Sequence, residues 1–278
     1  MANSVDQAFI KQFESEVKES YQRMGSKLRQ TVRNKTNIIG KSTTFQKVGK
    51  GTAASKAGPG SDVPTMNVAH SNVECTLQDY YAGDWVDKFD ELKTNIDERQ
   101  VVSNAGAYAL GRQTDSMIIT ALGTTTTVVG DYSTALTKNL ISLALEALGN
   151  NDVPDDGNRF AALSMHAWQE FKNIAQVGSG DYTGELYPWM KGQQAFVWEG
   201  ILWMPHSGLP LANTDDRDCF IWHKNAIGHA SGADVSSDVS WHGDKASFFV
   251  NNMMSQGAVL IDASGIVKIK VDDDTALT

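Results

Sequence analysis

Ile39-Gly40-Lys41-Ser42 carries the Gly-Lys-Ser ending of a phosphate-binding loop, the one stretch that hints at nucleotide chemistry. Such a loop needs another glycine five residues before Gly40 and a strand leading into it. The chain has Lys35 at that place, after a basic segment with helical spacing, so nucleotide binding is not expected. Six histidines occur, at 70, 166, 206, 223, 229 and 242, with no His-Glu-x-x-His pair and no i,i+4 pair to present two nitrogens to one metal. His223 and His229 could meet in space, but structural or surface roles are expected for both. Ser207 lies in His206-Ser207-Gly208 rather than in a Gly-x-Ser-x-Gly elbow. Cys75 and Cys219 lack Cys-x-x-Cys spacing and read as buried free thiols. The pairs Asp155-Asp156 and Asp215-Asp216 sit among turn residues, where solvation explains them. Six of the seven tryptophans fall between Trp168 and Trp241, an arrangement that suits core or subunit packing better than a platform for sugars or bases. No catalytic, cofactor or metal constellation survives, and no enzyme is expected.

The elements that carry these residues belong to a soluble chain. Its 278 residues are 41% hydrophobic and 21% charged, ordinary for a globular protein and long enough for about two domains. No apolar run approaches the ~20 residues of a membrane span, and charges interrupt the N-terminus where a signal peptide needs its apolar stretch. Two cysteines do not make a disulfide scaffold, and a reducing cytoplasm is the expected place of synthesis. The net charge of −9 is uneven: residues 1–60 carry eleven Lys and Arg against four Asp and Glu, and the remainder is strongly acidic. A basic arm on an acidic body suits self-association, a nearby polyanion, or simply a solvated face.

Val5, Phe9, Phe13, Val17, Tyr21, Met24, Leu28 and Val32 recur at spacings of three and four, predicting an amphipathic helix over 4–32. Its narrow stripe requires a partner surface, on its own domain or on a neighbouring subunit. Residues 40–82 read as a long hairpin: Thr43–Val48, a Gly/Ser/Lys-rich tip, then strand-forming stretches at Thr65–His70 and Val73–Tyr81. Such a hairpin has little core of its own. A short helix over Asp84–Leu92 and a long one from Thr94 or Asn95 to Leu122 follow. Further helices are expected at Leu136–Leu148 and from Ser164 to about Gln176. Strands are expected at Phe196–Trp203, Cys219–Trp222 and Phe248–Val250, with a closing hairpin of Ala258–Ile261 and Ile266–Val271.

The order of these segments resembles that of tailed-phage major capsid proteins of the Hong Kong 97 fold. The run Tyr80-Tyr81-Ala82-Gly83-Asp84-Trp85-Val86-Asp87-Lys88-Phe89 into Asn95-Ile96-Asp97-Glu98-Arg99 is similar to the family's passage from extended loop to spine helix. Asn151-Asp152-Val153-Pro154 through Phe160, Gly200-Ile201-Leu202-Trp203 with Ser207-Gly208-Leu209-Pro210, and Gly257-Ala258-Val259-Leu260-Ile261 extend the match over nearly the whole chain.

The resemblance implies an α+β fold divided into an N-terminal arm (1–39), an extended β-hairpin loop (40–82), a peripheral domain with a long spine helix (83–123), an axial domain (124–245) and closing strands with a tail (246–278). It implies self-assembly into the hexamers and pentamers of an icosahedral shell around double-stranded DNA, in the virion after assembly in the host cytoplasm. Inter-subunit contacts are expected from the arm at Phe9, Phe13, Val17, Tyr21 and Leu28, and from the loop at Phe45, Lys47, Lys50, Lys56 and Met66. Expected partners are other copies of the chain, a separate scaffolding protein, a portal, a possible decoration protein and DNA held by weak non-specific contact, with no membrane and no cofactor. Some members crosslink a loop lysine to a distant asparagine with the help of a glutamate; no such Asn and Glu motif can be matched, so no autocatalytic crosslink is expected. An encapsulin-like cellular compartment is the alternative shell.

Overall fold

A computed structural model describes residues 23–89, 97–178 and 195–274. In chain order its elements are β1 (Arg33–Lys35), β2 (Ser42–Val48), β3 (His70–Thr76), β4 (Gln78–Asp87), α1 (Glu98–Gly123), β5 (Val128–Val129), α2 (Lys138–Asn150), β6 (Arg159–Leu163), α3 (Met165–Asn173), α4 (Ala175–Gly178), β7 (Phe196–Trp198), β8 (Ile201–Pro205), β9 (Asp216–His223), β10 (Ile227–His242), β11 (Ser247–Leu260) and β12 (Ile266–Asp272). They group into two compact units, and β4, α1, β10 and β11 contribute residues to each.

The larger unit takes residues 26–78, 113–233 and 255–274. Its centre is a six-stranded sheet in the order β5-β12-β9-β6-β8-β7. In β9, Cys219-Phe220-Ile221-Trp222 is buried without alternation, as a strand covered on both faces must be. β12 pairs antiparallel with β9 from Ile266↔Trp222 to Asp272↔Asp216 and parallel with β5 on its other side. Glu199 and Gly200 both adopt positive φ, the geometry that lets two residues join β7 to β8. α2 buries Leu140, Ile141, Ala144 and Leu148, spaced as one helical face, and Thr137 caps it by accepting from Leu140 N at 3.4 Å. Ser164 caps α3 in the same way, accepting from Ala167 N at 3.0 Å.

Aromatic rings fill this core. Phe171 stacks on Trp203 with centroids 4.8 Å apart and on Trp168 at 5.5 Å. Trp203 Nε1 donates to Trp198 O, and Trp222 Nε1 to Thr31 O, both at 3.1 Å. Trp168, Trp203 and Trp222 are fully buried, which places three of the clustered tryptophans in the core rather than on a binding platform.

The smaller unit takes residues 79–112 and 234–254 together with 23–25. Here β10, β11 and β4 lie side by side in that order. Asn252, fully buried on β11, donates to Ala82 O at 3.2 Å and accepts from Ser237. Trp85 packs its ring 4.6 Å from Phe249 and 5.0 Å from His242.

Several expectations change. The helix predicted over 4–32 does not reach Val32: Gly25 has φ +64°, a left-handed conformation incompatible with helix, and Arg29–Thr31 forms one 3-10 turn before β1; residues 4–22 lie outside the described residues. Asp84–Asp87 belongs to β4 rather than to a short helix. The hairpin's second strand begins at His70, leaving Thr65–Ala69 outside it. β10, sixteen residues long, is unanticipated. The closing hairpin does not form, because β11 joins β10 and β4 whereas β12 enters the six-stranded sheet. Ile261 N and Asp262 N both donate to Ala226 O at that parting, and Asp262 caps the 3-10 turn Ala263–Gly265 that redirects the chain.

Candidate assembly surfaces

The expected contact residues divide by burial. Phe9, Phe13, Val17 and Tyr21 lie outside the described residues. Leu28 is fully buried in its own subunit and is therefore not a neighbour contact. The cause is a carboxylate on α1. Asp115, itself 0% exposed, accepts from Ser26 Oγ at 2.6 Å, from the amides of Lys27 and Leu28 at 3.1 Å each, and from His206 Nε2 at 3.1 Å. His206 Nδ1 accepts from Gly208 N at 3.2 Å, which puts the ring proton on Nε2 and aims it at Asp115. Burial alone would raise the Asp115 carboxyl; the hydrogen bonds from His206, Ser26, Leu28 and Lys27 outweigh it and hold the group below the usual carboxylate range. Residues 26–28 are thereby pinned to their own chain.

Phe45 is the second correction. It is fully buried where β2 passes β10. A Cβ at Gly228 would stand 2.7 Å from its ring, so only glycine allows the approach. Lys35 Nζ and the Arg33 guanidinium lie 4.9 and 5.8 Å from the same ring. Phe45 roots the hairpin and offers nothing to a neighbour. Beyond it the loop surfaces: Lys47 pairs with Asp262 at 2.9 Å, Lys50 pairs with Asp152 at 2.6 Å, and Lys56 and Met66 are exposed on the tip between β2 and β3. The Lys50 ammonium lowers Asp152, and hydrogen bonds to Asp262 from Ser264 and Lys47 overcome its desolvation and lower it too. Lys47, Lys50, Lys56 and Met66 thus lie where a second chain could reach them.

Elsewhere the chemistry is structural. Among the described residues no group of three His, Cys, Asp or Glu side chains could hold a metal, and no helix is long and apolar enough to cross a membrane. Burial pushes the Cys75 thiol up to about 11 and Cys219 to about 12, removing both as nucleophiles. His223 Nε2 meets Asp156 at 3.1 Å and its Nδ1 accepts from Asn225 N, a loop brace. Gly40-Lys41-Ser42 opens β2 and no helix follows it, so it forms no phosphate loop. The Asp115 clamp and the His223 brace have no local signature; only the isolated buried carboxylate in α1 could have hinted at the first.

Residues 5–273 match the family model described as phage capsid protein. The chain belongs to the phage capsid protein family. No curated protein matches it. Among solved structures, this capsid protein is similar to a chain of Mycobacterium phage Che8, with TM-score 0.73 at 17% identity over 95% of this chain and 97% of that one. A chain in the capsid structure of the cyanophage P-SCSP1u gives the same TM-score and identity over 99% and 97%. The capsid of a native GTA particle gives 0.70 at 13% over 95% and 96%. The α+β fold is thus that of tailed-phage capsid proteins, and the capsid protein is a structural component of the virion rather than an enzyme.

Proposed function

We propose that this capsid protein is the major head protein, assembling as hexamers and pentamers into an icosahedral shell that encloses double-stranded DNA. The family match over residues 5–273 is the observation that carries this reading. The hairpin supports it: β2 and β3 pair only with each other, and the long tip beyond them is almost wholly exposed, a design that gains stability when laid on another subunit. In the same reading residues 1–39 act as arm, 40–82 as extended loop, 83–123 as peripheral domain with the spine helix, 124–245 as axial domain, and 246–278 as closing strands and tail. Arm residues Phe9, Phe13, Val17 and Tyr21 and loop residues Lys47, Lys50, Lys56 and Met66 make the inter-subunit contacts. A separate scaffolding protein directs assembly, and a portal joins the shell.

Native mass spectrometry of the expressed chain tests the oligomers, with species of six and five subunits as the expected result. Nuclease treatment of particles tests the contents: duplex DNA survives inside intact heads. A chain that stays monomeric alone and with its scaffolding protein, or heads that protect no DNA, would overturn the reading.

A further inference from the structure

Ser26–Ser61 contains eight Lys and Arg and no Asp or Glu, in a chain that has 33 acidic residues elsewhere. All of it lies in the larger unit. Two of the eight, Lys47 and Lys50, are neutralised by Asp262 and Asp152. The group at 27–41 differs: among the described residues, no carboxylate pairs with the side chains of Lys27, Arg33, Lys35 or Lys41.

The shape of this group suits a phosphate backbone. Arg33 and Lys35 are alternate residues of β1, so they project to the same side, about 7 Å apart. The Phe45 ring beneath them, and the Thr44 carbonyl that Lys35 Nζ contacts at 2.5 Å, hold the two cations in place before any ligand arrives. The exposed positions beyond them are Thr36, Asn37 and Gly40, side chains and an amide that donate to phosphate oxygens, before Lys41 closes the run. Only Ile39 interrupts this polar surface. A protein-binding patch would be expected to present an apolar anchor in a pocket; a sequence-independent backbone contact needs cations and small donors.

We propose that Lys27, Arg33, Lys35 and Lys41 form a docking surface for the phosphate backbone of duplex DNA. This rests on the reading that the shell encloses such DNA, and it assigns the contact to named residues. The strongly acidic remainder of the chain repels DNA over longer distances, but at physiological salt charges more than ~8 Å away are largely screened. The contact is local, weak and reversible, as a genome that must later leave requires.

The test is fluorescence anisotropy of a labelled duplex with the unassembled protein. Four phosphate contacts give a salt slope near −3.6, so raising salt from 50 to 200 mM weakens binding about 150-fold. Arg33→Gln with Lys41→Gln removes two contacts and cuts that loss to about 12-fold. Lys27→Gln with Lys41→Gln gives the same result without disturbing Phe45, and Lys138→Gln, an exposed lysine at the start of α2, leaves the slope unchanged. Absence of binding at 50 mM salt, an unchanged slope in both double variants, or equal affinity for polyglutamate would overturn the proposal; the last would reassign the surface to an acidic protein face. Shell formation by the same variants is read separately by electron microscopy. Shells with lost DNA binding but normal contents refute only this inference, whereas DNA binding without shells refutes only the assembly reading.

Discussion

Removing the Asp115 carboxylate should destabilise the subunit more than any surface change. Asp115→Ala leaves the Ser26 hydroxyl, the Lys27 and Leu28 amides and the His206 ring N–H without the acceptor they now share, in a site with no exposure at Asp115 or His206. Each buried donor stranded in this way costs about 1–3 kcal/mol, and breaking a buried pair by removing one partner costs about 3–5 kcal/mol. We expect a loss of about 3–5 kcal/mol, a fall of about 10 °C in the melting temperature of the unassembled subunit. Asp115→Asn keeps the volume but turns an NH2 toward one of those donors, and should lose about half as much. Ser26→Ala should cost about 1 kcal/mol alone and less in the Asp115→Ala background, because the hydrogen bond the two groups share is then already gone and only the acceptance from Arg29 N at 3.2 Å remains to be lost. The pH dependence follows from the direction of the shift. The folded carboxyl titrates below its unfolded value of ~3.9, so the clamp contributes fully above that value and is lost as pH falls through the lower folded pKa. Asp115→Ala should therefore flatten the acid limb of the stability curve. Circular dichroism melts from pH 7 to pH 3 measure both effects. A loss under 1 kcal/mol at pH 7, or an unaltered acid limb, would refute the argument.

Three further outcomes follow. Gly228→Ala drives a methyl to 2.7 Å from the Phe45 ring and should cost about 1–3 kcal/mol, whereas Gly149→Ala, with nothing within 4 Å of its Cβ, should stabilise α2 by about 0.4–1 kcal/mol; paired thermal melts distinguish them. Cys75 and Cys219, buried with raised thiol pKa values of about 11 and about 12, should stay unreactive to a thiol reagent at pH 8 and react at once in denaturant. Boiled, reduced particles should run as a single 30.2 kDa band, and a ladder of its multiples would show a crosslink that the loop lysines were not expected to make.

What could be read from the sequence was set by how local the signal is. α2 and α3 were legible because apolar spacing, joined in α3 by the capping Ser164, lies within one short window, although the unrecognised cap Thr137 starts α2 at Lys138 rather than at Leu136. The alternation of Val267, Ile269 and Val271 with Lys268 and Lys270 marked β12, yet its partner β9 lies over forty residues upstream, and adjacency in sequence suggested β11 instead. β10 escaped because its outer half, Asp234–His242, has the polar composition of a loop and is mostly exposed. Leu28 and Phe45 looked like free contact residues for one reason: the groups that bury them, Asp115 with His206 and the bare backbone of Gly228, are distant in the chain. Of the candidate surface, the exposed loop lysines and the basic run were visible at once, being properties of composition.

Cryo-electron microscopy of the chain expressed with its scaffolding protein tests the central claim most directly. The account predicts closed icosahedral shells whose density accepts this fold in every hexamer and pentamer position, with Lys50, Lys56 and Met66 of each loop lying against a neighbouring subunit. Uniform monomers, or shells in which the loop tip touches only its own subunit, would contradict it.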